Sequence, residues 1–213
     1  MPLAKELNVE EARDNGGPAQ PRNARPFLKW PGGKRWAALE ISALVRTRLL
    51  GRYYEPFLGG GAVFFSLCPE RATLSDVNGE LIELYDTVRA RPNEIIAQLK
   101  AMRVSQAEYY RIRMSKPRGR IQRAARFLYL NRTAFAGLYR LNSDGVFNVP
   151  FGGGRTPRPL WAAGLLTAAS EALSKVKIRT CDFEVAMRSA REGDVVYCDP
   201  TYTVAHDSNG FRR

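Results

Sequence analysis

The sequence predicts an α/β protein built on an open parallel sheet, with a basic helical and hairpin segment inserted into it. Three observations carry that prediction. Val195-Val196-Tyr197-Cys198 runs into Asp199-Pro200 with no polar alternation, the pattern of a strand buried on both faces, as parallel sheets require. Tyr53-Tyr54-Glu55 leads through Pro56-Phe57-Leu58 into Gly59-Gly60-Gly61 and a helix start, and Ala72–Asp76 reads as a second strand ending in an acid seventeen residues after Gly59. Between Lys100 and Arg140 eleven Lys and Arg residues face a single acid, Glu108, so the charge is concentrated in the inserted segment.

At 213 residues the chain can bury one core with an inserted subdomain. Hydrophobic and charged contents of 45% and 25% are those of a globular protein, and the net charge of +12 points to a polyanionic partner. Cys68, Cys181 and Cys198 are odd in number and widely spaced, which predicts reduced, buried thiols and argues against a disulfide framework. His206 is the single histidine, so no zinc site is expected. No apolar run approaches the ~20 residues of a membrane span, and a cytoplasmic location is expected.

Residues 1–24 mix Glu, Asn, Gly, Pro and Arg without apolar periodicity and read as a flexible arm. In Phe27-Leu28-Lys29-Trp30-Pro31-Gly32-Gly33-Lys34 the Pro-Gly-Gly turn lets a ligand approach the backbone. The spacing of a phosphate-binding Gly-x4-Gly-Lys-Ser/Thr loop is missing there. A helix is predicted over 35–50 with Trp36, Leu39, Ile41, Leu44, Val45 and Leu49 as its apolar residues. The glycine loop after Glu55 and the acid Asp76 at the end of the next strand together favour nucleoside binding, with the carboxylate placed for ribose hydroxyls. Helices follow at 78–89, 92–114 and 120–130. Ser143-Asp144-Gly145 then marks a hairpin turn. That hairpin offers Arg140 to a guanine edge, Leu138 to a thymine methyl and Phe135 as a wedge between bases. A Gly-, Arg- and Pro-rich linker over 152–159, a helix over 160–174, a strand over 177–183 ending in Asp182-Phe183, and a helix over 184–191 complete the chain before the opening strand. Asp199 then lies at the carboxyl end of a strand, where open α/β sheets keep their ligand crevices. Its carboxylate and the Pro200 carbonyl can accept hydrogen bonds from an exocyclic amino group, with Tyr202 placed to stack on the ring that bears it.

Taken together, Phe27–Lys34, Glu55–Gly61, Ser75–Asn78, Asn131-Arg132 through Phe147–Gly152, and Asp199-Pro200-Thr201-Tyr202 resemble the blocks of the Dam-type DNA adenine-N6 methyltransferases of the D12 class, α-group, in the same order. The resemblance covers about residues 25–212. It implies a Rossmann-like methyltransferase sheet at 25–90 and 157–213 and a DNA target-recognition subdomain at 91–156. Its implied cofactor is S-adenosylmethionine, with Trp30, Lys34, Phe57, Gly59 and Gly61 around it, Asp76 on its ribose, Asp182 and Phe183 on its adenine, and Asp199 also at its site. Asp199, Pro200 and Tyr202 are the implied catalytic residues, holding an adenine flipped out of the duplex. Lys29, Asn131, Arg132, Phe135, Leu138, Arg140 and Asn142 are the implied DNA-binding residues. Double-stranded DNA is the implied partner, with no metal and no membrane, and the chain is expected to be a monomer.

Two departures from the family pattern stand out. Thr201 takes the place of a common second proline, and Ala136 the place of an asparagine typical of GATC readers, so the expected target is GATC or a related short site. The chain stops at Arg213, soon after the catalytic block, which leads to the expectation that C-terminal strands of the sheet are missing. The alternative reading is a non-catalytic DNA-binding remnant of such an enzyme.

Overall fold

A computed structural model describes residues 24–153 and 164–200. The N-terminal arm before Ala24, most of the linker, and Tyr202 lie outside them. In chain order the elements are α1 (Ala38–Arg46), β1 (Tyr53–Glu55), α2 (Ala62–Leu67), β2 (Ala72–Asp76), α3 (Gly79–Ala90), α4 (Pro92–Ala101), α5 (Gln106–Met114) and α6 (Arg120–Thr133). After them come a 3-10 turn (Phe135–Gly137), α7 (Leu165–Leu173), β3 (Lys177–Thr180), α8 (Phe183–Met187) and β4 (Val195–Val196).

The strands form one parallel sheet in the order β3-β2-β1-β4. Chain order runs outward from β1 to β3 on one side, then returns to place β4 on the other. The switch point, where α/β sheets open a ligand crevice, therefore lies at the carboxyl ends of β1 and β4. Tyr53, Tyr54 and Glu55 are all buried in β1, as are Ala72 to Ser75 in β2. The outer strand β3 instead presents exposed Lys177, Arg179 and Thr180, charges that discourage pairing with another chain.

Several elements differ from expectation. The strand expected to be buried on both faces, β4, is only half-buried and pairs with β1 alone among the described residues; Cys198 beyond it is exposed, not buried as predicted. Its apolar run is real, but one neighbour and one covered face are all the described residues supply. Helix α1 begins at Ala38, and its buried face is Ala38, Ser42 and Val45, while Trp36 and Leu39 are 81% and 77% exposed. The cause is close packing on α2, where the Ser42 and Ser66 hydroxyls meet at 2.9 Å, a separation that bulky residues would prevent. The helix predicted over 92–114 is two helices, α4 and α5. Ser105 caps α5 by accepting the Glu108 N–H, and Ser-x-x-Glu is a helix-start pattern readable in the sequence. The strand predicted through Phe183 ends at Thr180, because Asp182 turns the chain into α8 by accepting the Glu184 N–H.

The inserted segment does not form a separate body. Ile95, Leu99, Tyr109, Ile112, Phe127, Leu128, Phe147 and Val149 join Leu81, Leu84, Tyr85 and Leu74 in one continuous core. The predicted hairpin is a loop with two isolated bridges, Leu141 to Phe147 and Ala134 to Phe151. Asn142 holds its turn, its Oδ1 accepting the N–H groups of Asp144 and Val146.

One buried group stands out in β2. The Ser75 hydroxyl is sealed from solvent without a hydrogen-bond partner, and such a group costs about 1–3 kcal/mol relative to one that is satisfied or absent. Ser75→Ala is therefore expected to leave stability unchanged or raise it by about 1 kcal/mol in urea unfolding. A loss of that size would reveal an unrecognised partner for the hydroxyl.

Candidate cofactor and nucleic-acid site

The end of β1 turns through Pro56-Phe57-Leu58 into a glycine loop that opens α2. Gly59 and Gly61 adopt φ of 46° and 64°, the left-handed region that costs other residues about 1–2 kcal/mol. Space matters as much as dihedral angle. A Cβ on Gly59 would sit 2.7 Å from Trp30 Cδ1, and one on Gly60 3.1 Å from Trp30 Cβ. The Trp30 indole thus lies directly on the loop. From β2, Asp76 ties the loop down: its Oδ2 accepts the Gly59 N–H and its Oδ1 the Asn78 N–H, both at 3.0 Å. Asn78 then caps α3 by accepting the Leu81 N–H.

The Pro31-Gly32-Gly33 turn carries Lys34 back across this loop. The Lys34 Nζ donates to both Asp199 carboxylate oxygens at 2.7 Å and to the Gly32 carbonyl at 2.8 Å. Asp199 reaches this position because β4 continues in register beyond Val196, the Tyr197 N–H bonding the Tyr54 carbonyl at 2.8 Å. Trp30, Lys34, Glu55, Phe57, Gly59, Gly61, Asp76, Asp199 and Pro200 all line one cavity of about 330 Å³. It stands at the switch point of the sheet, and its size is that of an ordinary small-molecule pocket.

Two expected cofactor residues sit differently. Phe183 stacks on Phe57, ring centroids 5.4 Å apart, and so extends the wall that Phe57 provides. Asp182 is exposed, absent from the cavity lining, and occupied in capping α8. Tyr202, expected to stack on the target base, lies outside the described residues.

Glu55 carries no role in the sequence pattern beyond its place in the Glu55–Gly61 block. It is a buried carboxyl whose Oε2 accepts the Tyr53 hydroxyl at 2.8 Å and the Phe64 N–H at 3.1 Å, tying β1 to α2 beneath the cavity. Burial pushes it from an ordinary 4.5 up to about 8; the two hydrogen bonds oppose that shift and the nearby Asp199 charge adds to it. An acid in a run of buried strand residues was the available signal.

The nucleic-acid residues divide by geometry. Asn131 is 1% exposed, and its side chain is spent inside the protein: Oδ1 accepts the Lys29 N–H at 3.0 Å and Nδ2 donates to the Lys29 carbonyl at 2.7 Å. In this arrangement it positions Lys29 and offers no free edge to a base, contrary to expectation. The Lys29 side chain lies against Gly137, where a Cβ would fall 2.4 Å from Lys29 Cδ. Phe135 and Leu138 are exposed on the same loop, and the Arg140 Nε donates to Asn148 Oδ1 at 2.8 Å. Asn142, expected at DNA, holds the loop turn instead. Arg132 is half-buried, and its guanidinium falls below its usual range through burial and through Arg35 and Arg25. Ala136 adopts φ of 53°, a conformation asparagine tolerates better than alanine.

Among the described residues, no three His, Cys, Asp or Glu side chains group to hold a metal ion, and no helix is long and apolar enough to cross a membrane.

Fold and cavity together define a Rossmann-like protein with a glycine-loop pocket at the switch point of its sheet, beside a basic, partly apolar loop. Residues 30–212 match the family described as D12 class N6 adenine-specific DNA methyltransferase. The chain is 40% identical over 199 residues to the type II methyltransferase M1.LlaDCHI of Lactococcus lactis subsp. cremoris, covering 89% of this chain and 69% of the relative. It is 32% identical over 209 residues to the type II methyltransferase M.MjaIII of Methanocaldococcus jannaschii, covering 88% and 72%. It is 36% identical over 185 residues to the DNA adenine methylase of Escherichia coli strain K12, covering 84% and 65%. This chain belongs to the D12 class of N6 adenine-specific DNA methyltransferases.

Two outcomes follow from the cavity. Because folding raises the Glu55 pKa, the folded chain binds a proton that the unfolded chain releases, so the group's contribution falls as pH climbs from 4.5 to about 8. Glu55→Gln should accordingly gain stability relative to the parent across that window, read as a difference in Tm that widens with pH. A difference that stays flat would mean Glu55 is ionised in the fold throughout. Gly59→Ala should cost about 1–2 kcal/mol in unfolding free energy and displace the Trp30 indole, visible as changed tryptophan fluorescence.

Proposed function

We propose that the chain transfers a methyl group from S-adenosylmethionine to N6 of an adenine flipped out of duplex DNA. The observation that carries this reading is the shared cavity: Asp199 and Pro200 stand on the same wall as Trp30, Lys34, the glycine loop and Asp76. Residues that suit a nucleoside cofactor thus surround residues that suit an amino-bearing base. The cradle fits such a cofactor because Gly59, Gly60 and Gly61 line the cavity without side chains, so a ligand can approach the loop backbone closely. Trp30, Phe57, Gly59 and Gly61 would hold it, with Asp76 toward the ribose and Phe183 behind Phe57.

When bound, the cofactor supplies an electrophilic methyl group on a sulfonium centre. The remaining work falls to the chain. Adenine N6 is a weak nucleophile because its lone pair is delocalised into the ring. Accepting both N6–H bonds, at the Asp199 carboxylate and the Pro200 carbonyl, localises that lone pair and aims it. Asp199 can do so while paired with Lys34, since each carboxylate oxygen has a lone pair to spare; the ion pair fixes the carboxylate's orientation. As N6 gains the methyl it sheds one proton, which Asp199 is placed to take. Fixing both reactants in line can supply ~7–11 kcal/mol in ideal cases. Tyr202 would stack on the extruded base.

On the DNA side, residues 91–156 are read as the target-recognition subdomain. Phe135 serves as the wedge, Leu138 and Arg140 as base readers, Arg132 as a phosphate contact and Lys29 as a base contact held in place by Asn131. GATC or a related short site is the proposed target, with Ala136 the residue that separates this loop from GATC readers.

Incubation with tritiated S-adenosylmethionine and two duplexes, one with GATC and one with the site scrambled, tests the reading. Label on the GATC duplex alone is the expected result, and label on both would keep the reaction but discard the target. Asp199→Ala should lower turnover at least ~100-fold, a typical scale for one positioned polar group in a transition state, while duplex affinity changes little. Near-normal turnover in that variant would sink the mechanism. A chain that binds duplex but neither binds cofactor nor labels DNA would instead fit the non-catalytic reading.

A further inference from the structure

Tyr139 has no role in the chemistry above, yet it touches Trp30 of the cavity, α3, α6 and the recognition loop. Its ring stacks on Trp30, centroids 5.3 Å apart and planes 27° from parallel. Its other neighbours are Phe127 of α6, stacked at 5.0 Å and 20°, and Phe147 of the recognition loop at 5.9 Å. The Tyr139 hydroxyl donates to Glu80 Oε2 at 2.9 Å, in the first turn of α3, two residues beyond the Asn78 that bonds Asp76. Burial holds its phenol well above the usual range, with Glu80 adding to the shift. The residue itself sits between Leu138 and Arg140. One side chain therefore bears on the indole over the glycine loop, on the helix that follows the ribose-side acid, and on the backbone that presents the base-reading arginine.

Each contact alone is ordinary core packing. Their combination is not, because Trp30 lies both against the glycine loop, where a Gly59 Cβ would fall 2.7 Å from its Cδ1, and against the Tyr139 ring stacked on it. Trp30 lines the cavity, so a group bound there can bear on this indole, and the stack passes a shift of the indole on to Tyr139. The recognition loop is exposed from Arg140 to Val146, its turn held by Asn142 and by backbone bonds of Asn142 to Val146 and Asn148 to Arg140, while Phe147 and Val149 behind it are buried. We propose that Tyr139 is a positioning residue that couples occupancy of the cofactor cavity to the pose of the DNA-recognition loop, so that bound cofactor tightens the grip on the target duplex. This rests on the cofactor and DNA reading given above.

The test is a binding cycle on the full chain, with no turnover required. Affinity for a GATC duplex is measured with and without saturating S-adenosylhomocysteine, and affinity for S-adenosylhomocysteine with and without duplex. Coupling between sites is typically about 5- to 150-fold and must be the same from either direction. The parent chain is expected to show at least about 5-fold coupling. Tyr139→Leu, which keeps apolar bulk but loses the stack, should bring it below about twofold. Tyr139→Phe, which keeps the stack and loses the Glu80 bond, should retain most of it.

A second arm needs no variant. Adding S-adenosylhomocysteine to the parent chain should slow hydrogen exchange of the Asn142, Gly145 and Asn148 amides, which close the recognition loop. Full coupling in Tyr139→Leu, or no change in loop exchange when the parent binds S-adenosylhomocysteine, overturns the proposal while leaving the cofactor reading intact. A parent chain that does not bind S-adenosylhomocysteine overturns the cofactor reading, and the coupling with it.

Discussion

Two hydrogen bonds between Asn131 and the backbone of Lys29 hold the working parts of this protein together. They are part-buried, and they join residues 102 positions apart in the chain. One partner is in the last turn of α6, from which the recognition loop leaves; the other begins the segment that delivers Trp30 to the glycine loop and Lys34 to Asp199. A buried amide with both its donor and its acceptor used is rigid, and loss of either partner would strand polar groups in the interior. The inserted segment could have been an appendage on a flexible tether. Instead its geometry is fixed relative to the cavity by this clamp and by the core that both share.

Five acids stand at or beside the strand ends, and their surroundings give them different tasks. Asp199 meets an ammonium group and faces the cavity. Asp76 is tied to two backbone N–H groups and fixes the glycine loop. Glu55 is sealed beneath the loop, pushed toward the neutral form by burial. Asp182 caps a helix, and Asp194 accepts the Arg52 and Arg191 N–H groups, closing the turn before β4. The same functional group thus serves as cavity-facing ion-pair partner, loop anchor, buried strut or cap, decided by whether its neighbours are cations, amides or apolar side chains.

Those differences explain what could be read from the sequence. The sheet, its glycine loop and the acids at its strand ends were legible, because buried parallel strands and tight turns leave local patterns of apolar runs, Gly and Asp. The roles of Asn131 and Asp182 were not. Both are expected at ligands, and only the three-dimensional partners show otherwise: both polar atoms of the Asn131 amide are taken by Lys29, and one Asp182 oxygen caps α8 through the Glu184 N–H. The apolar residues of α1 misled for a related reason: Ser42 and Ala38 make the close contact with α2, so the larger Trp36 and Leu39 fall outside it. Tyr139 gives no signal between Leu138 and Arg140, since an aromatic in a hairpin reads as packing, and stacking on a residue 109 positions earlier leaves no local trace.

Charge gives the same lesson in a form that bears on DNA binding. The eleven basic residues between Lys100 and Arg140 read as one polyanion-facing block, but many of them are engaged within the protein. Arg120 and Arg123 pair with Glu83, and Arg111 with Glu108. Arg126 donates to the Ile112 and Arg113 carbonyls, and Arg113 to that of Val149. These guanidinium groups hold α5, α6 and the base of the recognition loop together, which lysines could not do with the same fork of donors. Exposed surface pairs add little stability singly, so their greater effect here is to set where the helices sit. Other basic side chains of the segment, Lys100, Arg103, Lys116 and Arg118, are exposed, so the charge presented to solvent depends on where the scaffold puts each residue as well as on their count. A basic segment of this kind is at once structural frame and electrostatic surface, and a substitution that removes one charge from it will perturb whichever of the two that residue serves.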